Sequence, residues 1–224
     1  MIYWPFRDHI EKTLTAGWLP GELAAIWDAR PLYCEKLGVI TYGIPKCASL
    51  SQTTMLHGPG GFVAMDYTHP AWDDDSVHIH MFLREPIDRI ISGLSFVNLP
   101  KYGMVSKLPN DITEQTIRTC SDPHLLPQCM FLPYESIPDP AEVCVPWDEL
   151  MMEYTPIQSE RMHYHDYKLM NSKISEWGSL LGVDFKIKFV NVLKDPERRT
   201  YDRDLLAQYL SNDIRVYNTL INKT

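Results

Sequence analysis

Leu37-Gly-Val-Ile-Thr-Tyr-Gly-Ile-Pro-Lys-Cys-Ala-Ser-Leu-Ser-Gln52 is the stretch whose reading decides the fold. Residues 37–44 are short, apolar and β-branched, as a buried strand requires. A helix is expected over residues 49–57, starting on Ser49 or Leu50. A strand–loop–helix junction aims free backbone N–H groups and the positive end of the helix dipole at one point, which suits an anion. Lys46 adds a mobile full charge and Ser49 and Ser51 add hydroxyl donors, while the small Ala48 lets the backbone approach closely. The loop is not a Walker A sequence, because no G-x-x-x-x-G-K-[ST] occurs in the chain.

Outward from this junction, residues 61–66 and 77–83 are further strand candidates. From Pro86 the apolar residues Ile87, Ile90, Ile91 and Leu94 recur at helical spacing, and Pro86 suits a first helical position. Residues 98–140, rich in proline and polar residues, read as loops and short helices. Residues 171–182 read as a helix with Ile174, Trp177 and Leu181 on one face and Gly182 as its stop. Residues 186–193 are expected to form a late strand, and Asp204 to cap a final helical region. Strands alternating with helices predict an α/β fold of three layers (α/β/α) around a mostly parallel central sheet. With 224 residues, a single domain over 1–224 is expected.

The composition narrows the function. A formal charge of −8 lacks the basic footprint of a duplex-binding protein, so no nucleic acid is expected, and the same balance argues against an anionic membrane surface. The five cysteines form no C-x-x-C pair, so neither a disulfide framework nor a zinc ribbon is indicated. No basic-then-apolar leader opens the chain and no apolar run approaches about 18 residues, so a cytoplasmic location without an integral membrane segment is expected.

Phe82-Leu-Arg-Glu-Pro-Ile-Asp-Arg-Ile-Ile-Ser-Gly93 is the second informative stretch. Arg84 ends a predicted strand, where ligand sites of open α/β sheets collect. Ser92 follows eight residues later, off the apolar stripe, and a guanidinium and a hydroxyl so arranged could hold one phosphate from two sides.

Taken together, the two stretches resemble the sulfotransferases that use 3′-phosphoadenosine 5′-phosphosulfate (PAPS). Pro45-Lys-Cys-Ala-Ser-Leu-Ser51 is similar to their loop for the 5′-phosphosulfate, and Arg84 to Ser92 is similar to their 3′-phosphate motif, in the same order. Downstream, Asp122-Pro-His-Leu-Leu-Pro-Gln128, Phe189-Val-Asn191, and Tyr209 to Asp213 with Tyr217 resemble the carbohydrate branch of that family. The likeness covers about residues 38–221. Leu50 and Gln52 depart from it, standing where many members carry a hydroxyl and an apolar residue.

The resemblance implies in-line transfer of the sulfuryl group from PAPS to an acceptor hydroxyl, a carbohydrate among the candidates, with release of 3′,5′-ADP and no metal required. Lys46, Cys47, Ala48, Ser49, Leu50 and Ser51 would hold the donor's 5′ end, Arg84 and Ser92 its 3′-phosphate. Lys46 would also stabilise charge on the bridging oxygen, as preorganised donors do. His69 is the candidate general base, with Asp66 and His124 as competitors; His124 is also the substrate-binding candidate. His78 and His80 share one side of a predicted strand by period two, but no third metal ligand is apparent, and the same caution applies to His163 and His165. The alternatives are a P-loop-like kinase or nucleotide hydrolase, and a binding module that keeps the fold without catalysis.

Overall fold

A computed structural model of the chain describes residues 31–58, 60–66, 68–97, 125, 127–135, 154–186 and 201–222. Among these residues, five strands form one sheet in the order β3-β1-β2-β4-β5. They are β1 Leu32–Cys34, β2 Val39–Tyr42, β3 Val63–Ala64, β4 His78–Leu83 and β5 Met162–Asp166. The described helices are α1 Ser49–Leu56, α2 Pro86–Val97, α3 Met170–Leu181, α4 Arg203–Tyr209 and α5 Ser211–Ile221. The protein is therefore an α/β structure.

The sheet is mixed, which corrects the expectation of a mostly parallel one. β2 pairs parallel with β4 and β4 with β5, whereas β1 pairs antiparallel with both β2 and β3. The physical reason lies in Glu35–Leu37, a single 3-10 turn closed by Gly38 at φ 60. A connection that short can only reverse the chain, because a parallel neighbour needs a crossover of about a dozen residues. Gly38 takes the left-handed conformation at little steric cost, and its carbonyl then accepts from the His78 N–H at 2.8 Å, where β4 begins.

The described residues gather into two compact units, and among them the chain passes from one to the other between Arg84 and Glu85 and again between Ile157 and Gln158. One unit holds the sheet, α1 and α3. Alternation puts Leu32, Cys34, Val39 and Phe82 on one sheet face, where they pack with Met55 and Leu56 of α1 and Ile174 and Trp177 of α3. Ile40, Tyr42, Ile79, Met81 and Leu83 on the other face are also buried. A strand buried on both faces reads as a continuous apolar run, which is why residues 37–44 were legible.

The other unit is built on α2, α4 and α5. Ile90 and Leu94 of α2 pack with Leu206 and Leu210. Asp202 caps α4, its Oδ1 accepting from Asp204 N–H and Leu205 N–H, so the cap stands two residues before the expected Asp204. Arg89, fully buried on α2, lies over the Phe131 ring at 5.4 Å and bears electrostatically on Asp213 of α5. The Asp213 carboxylate accepts from the Gln128 and Cys129 N–H groups at 3.1 and 2.8 Å. Burial pushes this carboxyl up, while Arg89 and the two N–H donors pull it back.

Candidate functional site

The anion candidate forms where β2 and β4 end. These strands are parallel neighbours with Tyr42 opposite Met81, so the loop after Tyr42 and the arginine after Leu83 emerge at the same edge. Lys46 and Ala48 both take positive φ, 66 and 62 respectively, which is uncommon for residues with a Cβ. Such strain, on the order of 1–2 kcal/mol per residue, concentrates at ligand clamps. Ala48 is also the N-cap of α1 and supplies no side-chain cap. A helix start here ordinarily carries Ser, Thr, Asp or Asn to satisfy the first-turn N–H groups. Ala48 leaves the first-turn donors of Ser49 and Leu50 without that partner, the condition in which a helix N-terminus receives an anion.

Arg84 joins the loop directly, because its Nη1 donates to the Lys46 carbonyl at 3.3 Å. Its guanidinium also lies over the Tyr167 ring at 5.2 Å. Tyr167 follows Asp166, the β5 residue paired with Leu83, so the paired ends of β4 and β5 hand the guanidinium and the ring to each other. Lys46, Ala48 and Leu50 are half-buried, whereas Cys47, Ser49 and Ser51 are buried. Gln52 turns inward, and its Nε2 donates to Thr41 Oγ1 on β2, which ties α1 to the sheet. That inward bond accounts for Gln52 as a packing residue.

Other sequence candidates lie elsewhere. Ser92 sits on α2, in the other unit, and is half-buried. His124, Asp122 and residues 189–191 lie outside the described residues. His69 caps the 3-10 turn Pro70–Trp72, its Nδ1 accepting from Ala71 N–H at 3.2 Å. Its ring is tilted against Tyr33 at 5.2 Å, in an open concavity of about 480 Å³ shared with Glu35, Asp73 and Asp74. Glu35 follows Cys34, the partner of the first residue of β2, while the Lys46 loop follows the last. The structure therefore sets His69 toward the opposite end of the sheet from Lys46, and its Nδ1 lone pair is already in use. Asp66 is held in a local turn, accepting from the Thr68 N–H and hydroxyl at 3.0 and 2.8 Å. The Thr68 hydroxyl in particular holds the Asp66 carboxyl below its usual range, which makes it a weaker base.

Sequence reasoning missed Tyr167. No pattern marks it, because its role follows from β5, and Met-His-Tyr-His-Asp at 162–166 carries polar residues on a half-covered face. Comparison with protein-family models, with curated proteins and with solved structures finds no match for this chain. Among the described residues, no helix is long and apolar enough to cross a membrane.

Proposed function

We propose that the loop and Arg84 bind PAPS in a sulfotransferase-like fold, and that the protein transfers its sulfuryl group to an acceptor hydroxyl. The observation that supports this most is the Arg84–Lys46 contact, which joins the two family-like motifs at one sheet edge. In this reading the N–H groups of Ser49 and Leu50 cradle the donor's 5′ end, and Lys46 follows the charge that builds on the bridging oxygen as the S–O bond breaks. Arg84 grips the 3′-phosphate, so that binding energy far from sulfur orients the donor. Ser92 enters through its motif alone. The leaving group is 3′,5′-ADP, and the acceptor's hydroxyl proton passes to solvent water as the new S–O bond forms.

Two substitutions test these roles. Lys46→Ala should lower the transfer rate at least a hundredfold while changing 3′,5′-ADP affinity only a few-fold; equal turnover by the variant removes the role. Arg84→Ala should lose most of the preference for 3′,5′-ADP over AMP, since a charge-assisted hydrogen bond contributes about 1.5–3 kcal/mol. Isothermal titration with both nucleotides measures this, and retained preference would put the 3′-phosphate elsewhere.

A second reading, a binding module that holds the nucleotide without transfer, draws on the placement of His69 and Asp66. Both are committed to local turns. Tight 3′,5′-ADP binding with no transfer to any sugar, phenol or alcohol acceptor would favour it.

A further inference from the structure

Four histidines line one face of β4 and β5. His78 Nδ1 meets His163 Nε2 at 2.8 Å, and His80 Nδ1 meets His165 Nε2 at 2.9 Å. The ring centroids in the two pairs are 5.0 and 5.2 Å apart. Each separation is close to the nitrogen–nitrogen distance plus two ring radii of about 1.2 Å, so the nitrogens face each other nearly head-on. That is the geometry of an N–H···N hydrogen bond. A metal shared by a pair would need lone pairs that converge on a third point, and among the described residues no group of three ligands could hold one. Each pair therefore carries a single proton in its contact, one ring donating and the other accepting.

This arrangement limits the protons it can take. A first extra proton enters a pair at an outer nitrogen and leaves the contact in place, now charge-assisted. A second must enter at the accepting nitrogen, which puts two N–H groups and two cations face to face. The pairs also hinder each other, because His80 and His163 stack at 4.4 Å with their planes 18° apart. From α3, Lys173 adds positive charge opposite the ladder and Glu176 offsets part of it, the two being ion-paired at 2.8 Å. Trp177 of α3 packs edge-on to His80 at 5.2 Å.

We infer that the two histidine pairs are an acid-released latch: paired and neutral, they fasten β5 and the helix that follows it to β4, and a second proton entering either pair parts β5 from β4. β5 suits the part, since among the described residues β4 is the one strand that pairs with it. His78 is exposed, whereas His80 is buried. Burial, reinforced by the neighbouring rings and Lys173, keeps His80, His163 and His165 below the ordinary histidine range.

Amide hydrogen exchange of the full chain tests this. Between about pH 7.5 and about pH 5, after correction for intrinsic rates, β5 amides should open at least tenfold more often, and at the lower pH they should be several-fold less protected than β1–β2 amides. The double variant His163→Asn/His165→Asn should flatten that dependence. Should the variant not fold, the comparison of β5 with β1–β2 in the unmodified protein decides alone. Protection in β5 that is unchanged, or lost only in step with β1–β2, overturns the latch, as does a folded variant that keeps the full pH response.

Discussion

Asp213→Ala is expected to destabilise the unit containing α5 by about 3–5 kcal/mol, the usual effect of breaking a buried charge pair. The carboxylate is fully buried and accepts from two backbone N–H groups, so its loss orphans both donors of the Gln128–Cys129 segment. It also leaves the Arg89 guanidinium, with no exposed surface, without the charge that acts on it from α5. Unpaired buried donors cost about 1–3 kcal/mol each and a buried charge more. For a chain of this size the melting temperature should fall by roughly 10 °C, measurable by circular dichroism. Asp213→Asn keeps an acceptor oxygen and should lose less. A melting temperature within about 2 °C of the unmodified protein for Asp213→Ala would show that the pair contributes little.

Acid should destabilise the sheet-bearing unit more than ordinary carboxylate titration allows. Burial, with the neighbouring histidines, holds His80 down to about 2, and burial with Lys173 holds His165 at about 4. Unfolded histidine titrates near 6.5, so below that value the unfolded chain binds more protons and stability falls with pH. By about pH 5 the His80 contribution is a loss of ~2 kcal/mol relative to neutral pH. His165 is more exposed, and solvent screening leaves roughly half of that. Its contribution stops changing below about 4, while the loss from His80 continues toward about 2. Asp66 and Asp74, held low chiefly by the hydroxyls of Thr68 and Ser76, titrate below this window. Asp213 works in the opposite direction, because burial raises its carboxyl and acid relieves the buried charge. Urea unfolding at about pH 7 and about pH 5 should show a loss of roughly 3 kcal/mol, and a flat profile would contradict the neutral, buried state of His80.

The fold was legible where burial and periodicity coincide. Residues 37–44 contain β2, residues 77–83 contain β4, and the stripe Ile87, Ile90, Ile91 and Leu94 announces α2. Gly182 ends α3 in the left-handed conformation, as its place after Leu181 suggests. Strand β5 was hidden because histidines occupy its alternate positions and mimic a polar loop. β1 has only three residues, too few to show a period, and with it went the antiparallel half of the sheet. Of the candidate site, Lys46 and Arg84 could be placed together from sequence because each follows the end of a strand, and parallel neighbours align those ends. The position of His69 could not be foreseen, since residues 65–76 carry the chain from the end of β3 back to the start of β4 without a regular pattern.

The donor site is tested most directly by thermal unfolding with 3′,5′-ADP, AMP or ATP–Mg²⁺, each at about a hundred times a plausible dissociation constant. A ligand specific for the folded state adds about 2.7 kcal/mol at that excess and should raise the melting temperature by roughly 5–10 °C. The account predicts that shift with 3′,5′-ADP and little with AMP. No shift with 3′,5′-ADP, or a larger one with ATP–Mg²⁺, would contradict it.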